Sequence, residues 1–175
     1  WSQAVVWDTL EQNRNRELPP LPLFESAERQ AQAAALKEQE IRTFLEAHDL
    51  LSVPDWLMHY RNRPLPAHLE PLAFMGVTDD LTSETRLDED AYSYISEPSP
   101  DLPYFALSAA RDPRPLIIHE GVPGHYFQLA LSWSHADPIR RRYIDSSANE
   151  GIAFYVEELL LQAGLPLWPA ERPST

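Results

Sequence analysis

The 175-residue chain has no cysteine, only five glycines, no run of 18 apolar residues and only 14 basic residues against 27 acidic ones. The missing thiol excludes a disulfide framework, a cysteine-ligated zinc finger and thiol catalysis. The missing apolar run excludes a transmembrane helix. A formal net charge of −13 opposes binding to phosphate backbones, which calls for a basic footprint, and to anionic membrane surfaces. Nucleic acid is therefore not an expected partner. The chain opens Trp1-Ser2-Gln3 with no initiator Met, basic n-region or apolar h-region. The expectation is that the true N-terminus is missing, so no signal peptide is legible and localisation stays unassigned. Hydrophobic residues at 43% and charged residues at 23% are the composition of a folded chain.

The 17 prolines are clustered. Glu17-Leu18-Pro19-Pro20-Leu21-Pro22 reads as an extended connector. From Ser26 to His48, alanines at 31 and 33–35 followed by Leu36, Ile41, Phe44, Leu45 and His48 predict a helix. Pro54 is expected to open a short second helix through Tyr60. Residues 62–111 form a Pro-rich acidic connector, with eight acids and one base, Arg86, between Asp79 and Asp101. Alternation over Ala91–Ser96 predicts a short strand or hairpin. Asp112-Pro113 and Asp137-Pro138 are helix starts, an N-cap acceptor followed by Pro at the first helical position. A long helix is expected from Pro138 to about Gln162, with Gly164 as its C-terminal glycine and Pro166 as a stop. The chain thus divides into N-terminal helices (1–61), the connector (62–111), a two-helix core (112–164) and a tail (165–175). It is read as one domain or part of a larger one, mainly α.

Two short motifs carry the chemistry: His119-Glu120-Gly121-Val122-Pro123-Gly124-His125 and Asn149-Glu150-Gly151-Ile152-Ala153-Phe154-Tyr155-Val156-Glu157. Two imidazoles and a carboxylate suit one zinc ion with a position left for water, and a carboxylate beside the first histidine suits a base. The histidines are six apart, about 120° around an unbroken helix, which is poor for one metal. Pro123 clashes with the carbonyl four residues back and the glycines permit a kink. A break after Glu120 with a restart near Pro123 is therefore expected to swing His125 toward His119. Tyr143, Glu150 and Glu157 are spaced by seven and share a helical face. Glu150 is a candidate third ligand and Glu157 a candidate partner for a ligand histidine, with the reverse assignment open. Tyr143 is a candidate for contact with the transition state, and Asp145 is a candidate supporting acid. His48, His59, His68 and His135 show no partner pattern. Arg140–Arg142 read as a solvated first turn, with a role in holding a substrate carboxylate as the sharper alternative.

These motifs, with Gln128 between them, resemble those of the bacterial family catalogued as domain of unknown function 885. The resemblance covers residues 104–164 well and the first hundred weakly. It implies a helical, zincin-like metallopeptidase core within a longer domain, with His119, His125 and Glu150 as ligands of one Zn²⁺, and Glu120 as the general base. It implies a peptide or small amide as substrate. Two positions depart from the family pattern: Tyr126 stands where a second His is common, and Ile152 where Trp is usual. The short chain leaves a missing domain portion or an oligomer partner as an expectation. Two other readings are a metal-binding module without turnover and an inactive helical fragment.

Overall fold

The computed structural model describes residues 21–75 and 78–165. The first two prolines of the N-terminal connector, residues 166–175 and the predicted stop at Pro166 lie outside them. Helix α1 spans Ala27–Ala47. Ser26 starts it by accepting the Arg29 amide at 3.3 Å, and Glu97 accepts the otherwise unpaired Ala27 amide at 3.2 Å. Its buried stripe is Ala27, Gln30, Ala34, Glu38, Ile41 and Leu45. The spacing of three and four is that of one helical face.

The expected helix over Pro54–Tyr60 does not form. That segment turns and then enters strand β1, Tyr60–Pro64. The reason lies in α1. Glu38 is fully buried and pairs with Arg42 at 2.5 Å, while His59 donates Nδ1–H to its other oxygen at 2.9 Å. Arg42 in turn donates to the Leu57 and Met58 carbonyls. Those carbonyls are thus spent on a guanidinium rather than on a helical ladder.

The middle of the chain is more ordered than its prolines imply. A 3₁₀ segment covers Ala67–Met75. Strands β2 (Asp79–Asp80) and β3 (Ala91–Ile95) join β1 in a sheet ordered β1-β3-β2. β3 runs parallel to β1 and antiparallel to β2, so the strand predicted at 91–96 is the centre of a three-stranded sheet. Its inner face carries Ala91, Ser93 and Ile95. A short helix α2 follows at Tyr104–Ala109.

Helix α3 begins at Arg114–Leu116 and widens into a π turn over Ile117–Gly121. Asp112 accepts the Arg114 amide at 3.1 Å, so the Asp-Pro start signal operates one residue late. Helix α4 is His125–Ser134. The single helix expected from Pro138 to Gln162 is two: α5 (Pro138–Arg142), capped by Asp137, and α6 (Ser146–Gln162), capped by Asp145. α6 closes with Gly164 at φ 88°, and Gly164 and Leu165 return hydrogen bonds to Leu161 and Leu160. That is the left-handed C-terminal cap expected of a glycine there. The chain is mainly α with one small sheet. Its core joins α1, the sheet, the π turn, α4 and α6 through Ile41, Leu45, Tyr60, Ile117, Ile118, Tyr126 and Leu160.

Glu38 is the anchor of α1 on β1. Glu38→Ala leaves a largely buried guanidinium without its counter-ion, a loss of about 3 kcal/mol. Thermal unfolding should show a midpoint roughly 6–12 °C lower; an unchanged midpoint would show that the pair is dispensable.

Candidate metal centre

The turn between α3 and α4 is built by close backbone approach. A Cβ on Gly124 would lie 1.9 Å from the His119 carbonyl oxygen and 2.3 Å from that of Ile118. Only glycine lets the chain fold back onto the end of the π turn this tightly. A Cβ on Gly121 would lie 2.7 Å from the Tyr60 ring, so the first glycine of the motif is demanded by β1. Val122 is extended and the Val122–Pro123 bond is cis. The helix therefore breaks after Gly121, one residue later than expected, and restarts at His125.

The consequence is that the two histidines meet. Their ring centroids are 4.8 Å apart and nearly perpendicular. Ligand atoms of His119, Glu120 and His125 all lie within 4.8 Å of one another. From α6, Glu150 reaches both rings: Oε2 is 3.5 Å from His119 Nε2, and Oε1 is 3.5 Å from His125 Nε2. Tetrahedral zinc ligands at about 2.0–2.1 Å stand roughly 3.3 Å apart, so these separations match a shared ion. Glu120 Oε2 is farther, at 4.0 Å from His125 Nε2. Glu157 occupies a different place. It accepts the Nδ1–H of His119 at 2.5 Å, since a carboxylate can only accept. That leaves the His119 Nε2 lone pair facing Glu150. His125 Nδ1 is buried and has no partner among the described residues.

Tyr143 and Asp145 are not brought into this cluster. The break between α5 and α6 takes Tyr143 off the face of Glu150 and Glu157, to the end of α5, where it is 69% exposed. Asp145 serves as the N-cap of α6, accepting the Ala148 amide at 3.1 Å. Arg141 and Arg142 face Glu84 at 3.9 and 3.3 Å, pinning α5 to the acidic loop. Phe154 packs edge-on against His119 at 5.3 Å while remaining 61% exposed.

The electrostatics divide the acids. Burial raises Glu120 to about 7, helped by the charge of Asp79 and opposed by His119. His119 is raised by its hydrogen bond to Glu157, against the effect of burial. His125 is lowered by burial and then by His119. Asp79, which the sequence placed in a solvated loop, is mostly buried and raised by that burial to about 6; hydroxyl donors Ser93 and Tyr60 partly offset this. The Tyr60 hydroxyl donates to Asp79 Oδ2 at 3.0 Å. Asp79 lies 41 positions before Glu120, and only the β2–β3 pairing brings it near. No local sequence signal marks it.

A family model described as a bacterial protein of unknown function (DUF885) matches residues 16–172. No curated protein and no solved structure matches the chain.

Two predictions follow from this geometry. Gly124→Ala forces backbone apart and should cost upward of about 3 kcal/mol. Gly151→Ala, where a Cβ meets nothing within 4 Å, should stabilise by about 1 kcal/mol through helix propensity; denaturant titration of both checks the contrast. For Asp79, the folded-state pKa of about 6 exceeds the ordinary carboxyl value of 3.8. The folded chain then holds the extra proton between those values, and stability falls as pH rises through that window. Asp79→Asn should remove about 3 kcal/mol of that decline between pH 4 and 6. Parallel curves for both proteins would contradict it.

Proposed function

The chain belongs to the bacterial DUF885 family, and on that basis we propose that it is a zinc-dependent hydrolase of the metallopeptidase type, acting on a peptide or small amide. The observation that carries this reading is the Glu150 carboxylate, with one oxygen 3.5 Å from each histidine Nε2. The donor set fits the ion: two imidazole nitrogens and a carboxylate are a catalytic zinc set, leaving one position open. His119, His125 and Glu150 would hold it. When bound, zinc supplies Lewis acidity that acidifies water and polarises a carbonyl.

The protein's own groups supply the rest. Glu157 fixes the His119 ring by accepting its Nδ1–H, which raises the basicity of Nε2. Glu120 has the role of general base, taking a proton from the attacking water and returning it to the leaving amine. Its burial against the Tyr60 side of the site keeps its proton affinity close to neutral, as that exchange requires. Glu150 is 54% exposed, so the open side of the site faces solvent from α6. One observation favours a second reading, in which Glu120 is itself a ligand and no turnover occurs: its carboxylate lies in the same tight group as both histidines.

One set of proteins separates these readings. Purified wild type should carry about one zinc per chain by plasma mass spectrometry, and the His119→Ala, His125→Ala double variant should carry none. Glu120→Gln should keep the zinc and lose about 100-fold or more in peptide cleavage. Loss of zinc in Glu120→Gln would establish the ligand reading instead. Absence of zinc from the wild type even after its addition would overturn both.

A further inference from the structure

A second cavity lies away from the metal centre, between α1, β3, α2 and α3. It has a volume of about 100 Å³. One wall is apolar, made by Leu65, Leu102, Phe105 and Leu116. Phe105 is largely exposed and stands with Tyr104, whose ring is edge-on at 5.4 Å. The lining also carries polar groups. Gln30 projects from α1 and is only 2% exposed, yet its Oε1 accepts no hydrogen bond among the described residues. Beside it is Ser93 of β3, also buried. Asp79 is the cross-strand partner of Ser93, and the lone pairs of the Ser93 hydroxyl can accept from a donor in the cavity.

Gln30 is the anomaly. It occupies a core position of the α1 stripe, where an apolar residue packs without cost. Burying an amide oxygen with no donor is unfavourable by an amount comparable to a lost hydrogen bond. Such a group is retained at low cost when something else supplies the donor. Gln30 and Ser93 both present acceptors, and the Asp79 carboxyl behind Ser93 adds negative charge. The head group that matches is a nitrogen bearing at least two hydrogens. The apolar wall and the volume of about 100 Å³ match a short aliphatic body of about two or three carbons, since a cavity half as large again, about 150 Å³, takes benzene.

We propose that this cavity is a binding site for a small aliphatic primary amide or amine, its N–H groups on Gln30 Oε1 and Ser93 Oγ and its carbon chain against Leu65, Leu102, Phe105 and Leu116. The site is independent of the zinc reading and does not require metal.

The test is a titration of the purified chain with propionamide and propylamine, and with methyl acetate as a probe of similar shape lacking N–H. Methyl NMR spectra of Leu, Ile and Ala residues report binding. At least one nitrogen probe should give saturable shifts confined to methyls around the cavity, Leu65, Ile95, Leu102 and Leu116 among them. The ester should bind about tenfold more weakly, as expected for a buried acceptor left unpaired. Gln30→Met should erase that preference. Ala106→Leu, which fills the cavity from α2, should abolish binding of all three and serves alone if Gln30→Met fails to fold. Equal affinity for ester and nitrogen probes, no saturable shift with either nitrogen probe, or binding that survives Ala106→Leu would overturn the proposal.

Discussion

The approach of Gly124 to the carbonyls of Ile118 and His119 is the contact on which the candidate site depends. Helical geometry alone sets His119 and His125 on different sides of an axis. The π turn over Ile117–Gly121 ends the ladder, and Gly124 brings the restarted chain flat against the carbonyls that the turn leaves behind. The restart then begins at His125, in the first turn of α4, within reach of His119. A side chain at position 124 has no room, and the alternative is to part the two helices. The meeting of the two histidines is therefore a product of backbone contact, with side-chain packing as its support.

That support comes from elements that the sequence presents as plain structure. Tyr60 begins β1 and covers Gly121, so the sheet fixes one side of the π turn. β1 is held in turn by α1, through the Glu38–Arg42 pair and the Leu57 and Met58 carbonyls. α6 closes the other side with Val156 and Leu160 in the core and the two glutamates on its neighbouring face. Removing any of these elements exposes the back of the turn. α1 and the sheet thus contribute to the site's geometry without contributing one of its histidines.

The legible part of this chain was local. The helix starts at Ser26, Asp112-Pro113 and Asp137-Pro138, the terminal Gly164 and the strand at 91–95 are set by residues a few positions apart, and each stands within a residue or so of where its signal lies. The kink between the histidines was readable from Pro123 and two glycines because sterics act within one turn. What escaped was non-local. The segment at 54–60 carries a Pro start signal, but Arg42 from another helix takes its carbonyls. Tyr143 shares a heptad position with Glu150, and that periodicity holds only while the helix is continuous. Asp145 is an efficient N-cap and restarts the helix there, so the same residue that suggested a supporting acid is the cause of the break. Asp79 looks like one more solvated acid until the sheet pairs it with Ser93.

The same sheet explains how so acidic a site is tolerated. Glu120, Glu150 and Glu157 converge on two imidazoles, and three carboxylates so close repel one another at the low dielectric of a half-buried site. The structure distributes them by environment. Glu157 is committed to His119 by a short hydrogen bond, Glu150 stays largely in solvent where charge is cheap, and Glu120 is pressed inward beside Tyr60 and Asp79. The inward position is the costly one, and burial there pushes Glu120 up to about 7. A site that moves a proton gains from it directly, because a carboxyl with an ordinary pKa is a poor partner for water at neutral pH. The unequal burial of Glu120 and Glu150 suits the proposed division of roles, with Glu150 as a ligand and Glu120 as the base.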